Sequence, residues 1–337
     1  MKISFKKPNK KSIIAAVLRA LPILMIVVML IVHTTAPNAI PLPPPFFYPE
    51  YRIIELSNVW AIFLGILGAG FLAWWVVSLW FIKPQKLLQK GAPLYTAILA
   101  LIFLYDIATL HTALFNTLFF PWPQQILSAM LNDASGLLGA IGSSLGLLLA
   151  GYAIGAVLGI VAGVISGYMG RVNYWVRPVA RFFTSVPVIT LVPIFIFIPI
   201  GFFARAIFLI SLAVWVPVTL TVSSGVMAVP KSTFEAASTF GYKGVAMMYK
   251  VAIPAASPSI FVGLTQGMAA ACVALIIAET MGVSAGIGHY ISEQNTFLNY
   301  AGMFGGVIML SFMFFTVNFI LSIARKYALK WKGDTAS

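Results

Sequence analysis

From Leu137 to Ser166 the chain runs for thirty residues without one charged side chain. A helix needs about 20 apolar residues to cross the hydrocarbon core of a bilayer. Within that core each backbone polar group must find its partner inside the protein, which a helix provides on its own. Hydropathy places further runs of this kind along the chain, so spans are expected at roughly 13–33, 57–82, 93–115, 137–166, 179–200, 204–228, 257–280 and 301–324. Composition agrees: of 337 residues, 61% are hydrophobic and 9% charged, against about 25% charged in soluble domains. The expectation is an all-α polytopic membrane protein with about eight transmembrane helices.

Charge sets the orientation. The net charge is +13, which on its own would suit nucleic acid or anionic lipid. With the N-terminus inside, however, 19 of the 21 Lys and Arg residues fall on inner segments, leaving Arg52 and Arg205 outside. That bias follows the positive-inside rule, so lipid is the expected partner, not nucleic acid, and both termini are expected in the cytoplasm. Lys2, Lys6, Lys7, Lys10 and Lys11 precede the first apolar run as in a signal peptide. That run is too long for an h-region and no small-x-small cleavage site follows it, so it reads as a retained span. The stretch TTAPNAIPLPPPFFYPEY after it is too proline-rich for a helix and reads as an outer loop. Cys272 has no partner for an internal disulfide and reads as a core thiol.

Gly151, Gly155, Gly159, Gly163 and Gly167 recur every four residues in the fourth span. That spacing keeps them near one helix face, where small residues let another backbone come close. The face serves either static packing or a helix that slides against its neighbours. Pro187, Pro193 and Pro199 punctuate the fifth span and each removes a backbone donor, so kinks are expected there. No internal repeat is visible in the sequence, so the inverted-repeat signature of many secondary transporters is missing.

Between the sixth and seventh spans lies STFEAASTFGYKGVAMMYKVAIPAASP, residues 232–258. Ser232 and Glu235 have capping-box spacing, Ala236 and Ala237 make a slim helical surface, and Gly241 is a natural turn residue after a short helix. A second amphipathic turn carrying Met247, Met248, Tyr249 and Val251 is expected to stop at Pro254. The plain reading is a capped connector on the membrane surface; the functional one is a helix that enters a groove on another protein.

The same stretch resembles the EAA loop of binding-protein-dependent ABC importer permeases, with Glu235, Ala236, Ala237, Gly241 and Val251-Ala252-Ile253-Pro254 at the family's spacing. The likeness covers roughly residues 120–332. WPQQILSAM and RPVARFFTSVPVITLVPIFIF are similar to segments of the nitrate, sulfonate, taurine and bicarbonate type, and LIIAETMGVSAGIGHYI matches on Ala278, Glu279, Gly282, Gly286, Gly288 and Ile291. The resemblance implies a six-helix-like type I permease core at 93–332, with a coupling loop at 230–254 that docks on a cytoplasmic ATPase. It implies a solute-binding protein outside, a second permease subunit forming a homodimer, and the bacterial inner membrane as location. The region 1–92, two helices with a proline-rich outer loop, is additional to the family's core, and 333–337 is a short cytoplasmic tail.

No G-x-x-x-x-G-K-[ST] occurs, nor any Gly-Lys pair, so the chain lacks the phosphate cradle of that ATPase class. It is expected to be non-catalytic and to bind no cofactor, with ATP and Mg held by the partner. GVSAGIG is no dinucleotide fingerprint without a strand before it. His33, His111 and His289 are far apart in sequence and lack metal-site spacing, so no metal is expected. Asp106 and Glu279 fall in or at the ends of spans, where ionisable groups are functional candidates. Glu279 is expected in a gate or network, or at a solvated helix end; Asp106 pairs with a partner or stays protonated. Thr219, Thr221, Ser223 and Ser224 either face a pathway or back-bond to their own helix, the second being preferred. Arg205 either draws an anion toward the mouth or snorkels. The pathway candidates are therefore Glu279, Arg205, Pro187, Pro193 and Thr219.

Three functions compete. An importer permease predicts an ATPase partner. An ATP-independent secondary transporter or channel would carry more intramembrane carboxylates or repeat symmetry. A membrane anchor would use the loop only to recruit partners. The EAA spacing together with the Glu279 run selects the first. Its substrate, by resemblance, is a small solute such as nitrate, bicarbonate or a sulfonate.

Overall fold

The computed structural model describes residues 10–38, 59–112, 114–116, 118–280 and 285–330. The proline-rich stretch from residue 39 on, Lys2, Lys6, Lys7, Arg52, Gly282 and the tail 333–337 lie outside them. All regular elements among the described residues are helical. They are α1 (Lys10–Thr35), α2 (Val59–Trp80), α3 (Ile82–Asp106) with a π turn (Ile107–His111), α4 (Pro123–Asn132) and α5 (Ala134–Tyr168). Then follow α6 (Gly170–Ser185), α7 (Val188–Ile196), α8 (Phe202–Met227), α9 (Lys231–Thr239) and α10 (Gly244–Met247) with a second π turn (Met248–Ala252). The last are α11 (Ile253–Thr280), α12 (Ile287–Thr296) and α13 (Tyr300–Ala328). Seven helices are long and apolar enough to cross a membrane, and a bent pair makes an eighth.

The chain divides into two compact units near Asp133: α1–α4 with residues 299–305 form one, and α5–α12 with the rest of α13 the other. In the first unit α1, α2 and α3 pack on one another around Ile26, Met29, Trp60, Leu64 and Leu99. The sequence division between 92 and 93 grouped this third span with the permease core; by its contacts α3 packs with α1 and α2. It also starts earlier than the expected residue 93, because Phe81 is the one extended residue between α2 and α3.

The second unit is organised by α5 and α8. All five glycines of the α5 stripe face α8: a Cβ added at Gly151 would meet Ile210 at 2.6 Å, at Gly155 Val214 at 2.7 Å, and at Gly159 Val218 at 2.8 Å. At Gly163 it would meet Val222 at 2.7 Å and at Gly167 Val226 at 2.6 Å. Both sets step by four, so two i±4 ridges lie along one another. Sequence numbers rise together along the seam, which makes α5 and α8 parallel. The segment between them must therefore return the full length of the seam, and α6 with α7 is that return.

This return corrects the expected fifth span. Instead of one kinked helix over 179–200, α6 and α7 meet at 99°. Pro187 precedes α7 and forces Val186 into an extended conformation, φ −96° and ψ 115°, as the residue before proline requires. α6 carries Arg171, Arg177 and Arg181, which lipid would not accept as the middle of a span.

Hydroxyl side chains close the seam. Ser211 donates to the Gly151 carbonyl at 3.1 Å and Thr219 to the Gly159 carbonyl at 3.4 Å. Ser166 and Ser223 stand 3.3 Å apart, and Thr221 donates to Gln266 of α11 at 2.9 Å. The expected back-bonding of Thr219, Thr221 and Ser223 is thus replaced by bonds between helices. For Thr219 the glycines cause this, since they bring the α5 carbonyls within reach of α8. α11 runs antiparallel to α8 and packs on both α8 and α5, with Gly225 against Ser259, Gly263 against Val218 and Gly267 against Val214, while Tyr152 of α5 donates to the Leu264 carbonyl at 3.1 Å. Cys272 is buried in this core as a free thiol.

The seam makes a direct test available. Gly155→Ala puts a methyl 2.5 Å from the Ser211 carbonyl, whereas Gly146, on the same helix, has open space at its Cβ position. Overpacking of this kind costs about 1–3 kcal/mol. Thermal unfolding of the purified chain in detergent should show a lowered Tm for Gly155→Ala and none of that loss for Gly146→Ala.

Candidate functional site

α9 begins directly after Pro230, whose carbonyl accepts from the Thr233 amide at 3.0 Å. Ser232 is therefore already inside the first turn, and no side-chain cap bond forms. The expected capping box is not present: a residue with helical dihedrals cannot turn its hydroxyl back onto the N3 amide. The C-terminus matches expectation in full. Gly241 has φ +85°, its amide bonds the Ser238 carbonyl at 3.0 Å, and the Tyr242 amide bonds the Ala237 carbonyl at 3.2 Å. These are the two bonds of a Schellman motif. Gly244, which the sequence reading did not single out, is a second left-handed glycine at φ +53°.

Phe234 ties α9 to the end of α5, its ring 5.9 Å from that of Tyr168. Glu235 and Ala236 are then exposed, with Ala237 half-buried. Phe240, Val245 and Tyr249 are 82%, 76% and 71% exposed, an apolar set around a short polar helix. The second helix does not stop at Pro254 as expected; it continues without a break into α11. The π turn explains why. The Ile253 amide reaches five residues back, to the Met248 carbonyl, and this shifted register accommodates the proline that would otherwise break the α-helical ladder.

A groove lies between the α6–α7 break and α8. Val186, Pro187 and Leu191 form one wall, Leu209, Ala213, Val216, Pro217 and Thr221 the other, and Gln266 of α11 stands at its edge. Its volume of about 430 Å³ falls in the range of small-molecule sites, roughly 300–1,000 Å³. The α8 residues in it lie three and four apart, on a different face from the one that meets the glycines. Of the pathway candidates, Pro187 lines this groove. Pro193 sits on an exposed position of α7 and Thr219 is buried in the α5–α8 seam. Arg205 lies in the first turns of α8 with its guanidinium 4.7 Å from the centre of the Phe202 ring. It is some 22 residues from the α9 end of that helix, roughly 33 Å at 1.5 Å per residue. The five candidates do not form one cluster.

Glu279 has no exposure at all, which removes the solvated helix end and leaves the network. Gly286, at φ +118° and with no side chain to offer, precedes α12. The orphan amides of that helix are met by other elements: Gly288 N–H donates to Glu279 Oε2 at 2.8 Å and Ile287 N–H to Ser144 Oγ at 2.8 Å. Ser144 in turn donates to Glu279 Oε1 at 2.6 Å. A carboxylate at a helix N-terminus also meets the positive end of the macrodipole. One residue each from α5 and α11 thus caps α12. Glycine is required at 286, because a Cβ there would collide with the Glu279 carboxylate. Ser144 has no sequence signal: one hydroxyl in a long apolar helix is ordinary.

Removing either partner strands buried donors, at about 1–3 kcal/mol for each one. Glu279→Ala leaves the Gly288 amide and the Ser144 hydroxyl without a partner, and Ser144→Ala leaves the Ile287 amide. Both should lower the Tm of the purified chain. In a double-mutant cycle the double variant should lose less than the sum, because the two residues share one network.

The profile of the binding-protein-dependent transport system inner membrane components matches residues 155–331, which is 177 of 337 residues. The match holds the glycine seam from Gly155 on, the α6–α7 break, α9 and Glu279 with α12, while Ser144 lies before it. The chain is 28% identical over 185 residues to a Bacillus subtilis protein named as an aliphatic sulfonates transport permease, SsuC, covering 55% of this chain and 67% of that one. It is 26% identical over 263 residues to the taurine transport system permease protein TauC of Escherichia coli, covering 76% and 93%. An ABC transporter permease protein of Methanocaldococcus jannaschii is 30% identical over 185 residues, covering 52% and 68%. This all-α, multi-pass membrane protein therefore belongs to the inner membrane components of binding-protein-dependent transport systems, the permeases of ABC importers.

Proposed function

We propose that α9 is the coupling helix of this permease and that its exposed face, centred on Glu235 and Ala236, docks in a groove of a separate ATPase subunit. The observation that carries the reading is the build of the loop. A short helix is anchored by Phe234, locked at its end by the Gly241 Schellman motif, and surrounded by the exposed Phe240, Val245 and Tyr249. An exposed apolar set of this kind suits a protein partner. On this reading the ATPase binds ATP and Mg, and this chain performs no catalysis.

The groove beside the α6–α7 break is then one side of the translocation pathway, completed by a second copy of the chain. A solute-binding protein delivers the solute from outside. α9, the N-terminus and the C-terminus face the cytoplasm, in keeping with the distribution of Lys and Arg, and the membrane is the bacterial inner membrane. The names of the relatives support a small organic sulfonate or a related oxyanion as the solute.

Affinity purification of the tagged chain from its native membrane in mild detergent tests the reading. An ATPase subunit should co-elute, and it should be lost when residues 232–254 are disrupted. Gly241→Val forces a β-branched residue into the left-handed region, at about 1–2 kcal/mol. It should leave ATP hydrolysis no longer driving uptake in proteoliposomes. Glu235→Ala should weaken ATPase retention while the chain still inserts. A chain that elutes alone and moves solute without ATP under an ion gradient sinks the proposal.

A further inference from the structure

The first unit holds a cluster that the family match does not reach. His33 near the end of α1, Asp106 at the end of α3 and His111 at the end of the following π turn each offer one ligand atom, all within 4.8 Å of one another. Asp106 and His111 are five residues apart. At 3.6 residues per turn that spacing would put them about 140° apart around a helix. The i→i+5 bonding of the π turn brings them onto one face.

The second sign is how the imidazoles are held. His33 Nε2 lies 3.0 Å from the carbonyl oxygen of the Gln124 side chain, and His111 Nδ1 lies 3.3 Å from the Pro37 carbonyl. Oxygen acceptors at those positions put the ring proton on the outer nitrogen in both cases. The inner nitrogen of His111, Nε2, then keeps its lone pair and is buried without a hydrogen-bond partner, as is Asp106 Oδ1, and the inner nitrogen of His33, Nδ1, faces the Asp106 carboxylate. Asp106 is 1% exposed. A ligating histidine normally donates its other N–H to such an acceptor, which fixes tautomer and orientation. His33 Nδ1 and Asp106 Oδ2 are 3.4 Å apart, close to the roughly 3.3–3.5 Å between two ligands of a tetrahedral zinc ion.

We propose that His33, Asp106 and His111 bind one divalent transition-metal ion of the zinc class, tying the end of α1 to the end of α3. Two imidazoles and one carboxylate suit zinc and its neighbours better than magnesium or calcium, which take oxygen ligands. The ion supplies the cation that a buried aspartate at a span end requires. Water fills the remaining coordination position. The sequence expectation of no metal rested on the separation of the histidines along the chain, and the fold removes that separation for two of the three.

The test uses the full-length chain in detergent, freed of any affinity tag and stripped with a chelator. Zinc is added, the excess removed, and the retained metal measured by mass spectrometry, with affinity read by competition against a chromogenic chelator. One equivalent per chain is expected, with a zinc-dependent rise in Tm. Asp106→Asn and His111→Gln should lose the equivalent and the Tm response, and His289→Gln, outside the cluster, should keep both. Gln124→Ala preserves all three ligands and should weaken binding about 10–100-fold, which keeps the test decisive if a ligand variant fails to fold. Cobalt in place of zinc should give visible bands that His33→Gln abolishes. A wild-type chain that retains no zinc, or retains it equally in the Asp106 and His111 variants, overturns the proposal in favour of a His33–Asp106 ion pair alone.

Discussion

The approach of α5 to α8 along five glycines is the contact on which the second unit depends. Lipid is as apolar as leucine, so two membrane helices gain nothing by hiding hydrophobic surface from it. What remains is close packing and hydrogen bonds, and both need the backbones near one another. Glycine at every fourth position removes the obstacle, and Ile210, Val214, Val218, Val222 and Val226 fill the space it leaves. The same proximity places Ser211 and Thr219 against α5 carbonyls. Each such bond is worth about 0.6 kcal/mol in a membrane, so the seam is held by their number and by fit.

From that seam the remaining geometry of the unit follows. Parallel α5 and α8 force a return segment between them, and the return is broken at Pro187 instead of running straight. The break opens the groove that α8 walls with a second face. At one end of the helices α9 stands on the Tyr168–Phe234 contact; at the other, Glu279 and Ser144 cap α12. Both ends face the same problem, since irregular backbone beside a membrane span leaves amides without partners. A left-handed glycine with a Schellman motif solves it at Gly241, and a carboxylate brought from another helix solves it at Gly286.

Much of this was legible in the residues. Seven spans were readable from long apolar runs with very few charges, because the bilayer core makes a charged side chain costly. The five glycines were readable as a packing face, because a four-residue step repeats on one side of any helix. Gly241 was readable as a helix end, because few other residues accept its dihedrals. The errors were local and had local causes. Ser232 carried the capping spacing, but Pro230 started the helix earlier. Pro254 looked like a stop, but a π turn absorbed it. The fifth apolar run looked like one span, but the chain breaks at Pro187, where the two helices meet at 99°.

The sequence by itself determined the class of the molecule, its spans, the glycine face and the family-like loop with its terminal glycine. These depend on periodicity and composition, which are properties of neighbouring residues. Only the tertiary structure decided which face the glycines meet, that Thr219 belongs to the seam and not to the groove, and that Ser144 is the partner of Glu279. It also decided that His33, Asp106 and His111, the first and last of them 78 residues apart in the chain, share one small volume. Such pairings arise when distant helices pack, and a side chain carries no mark in the sequence of the one it will face across a helix interface.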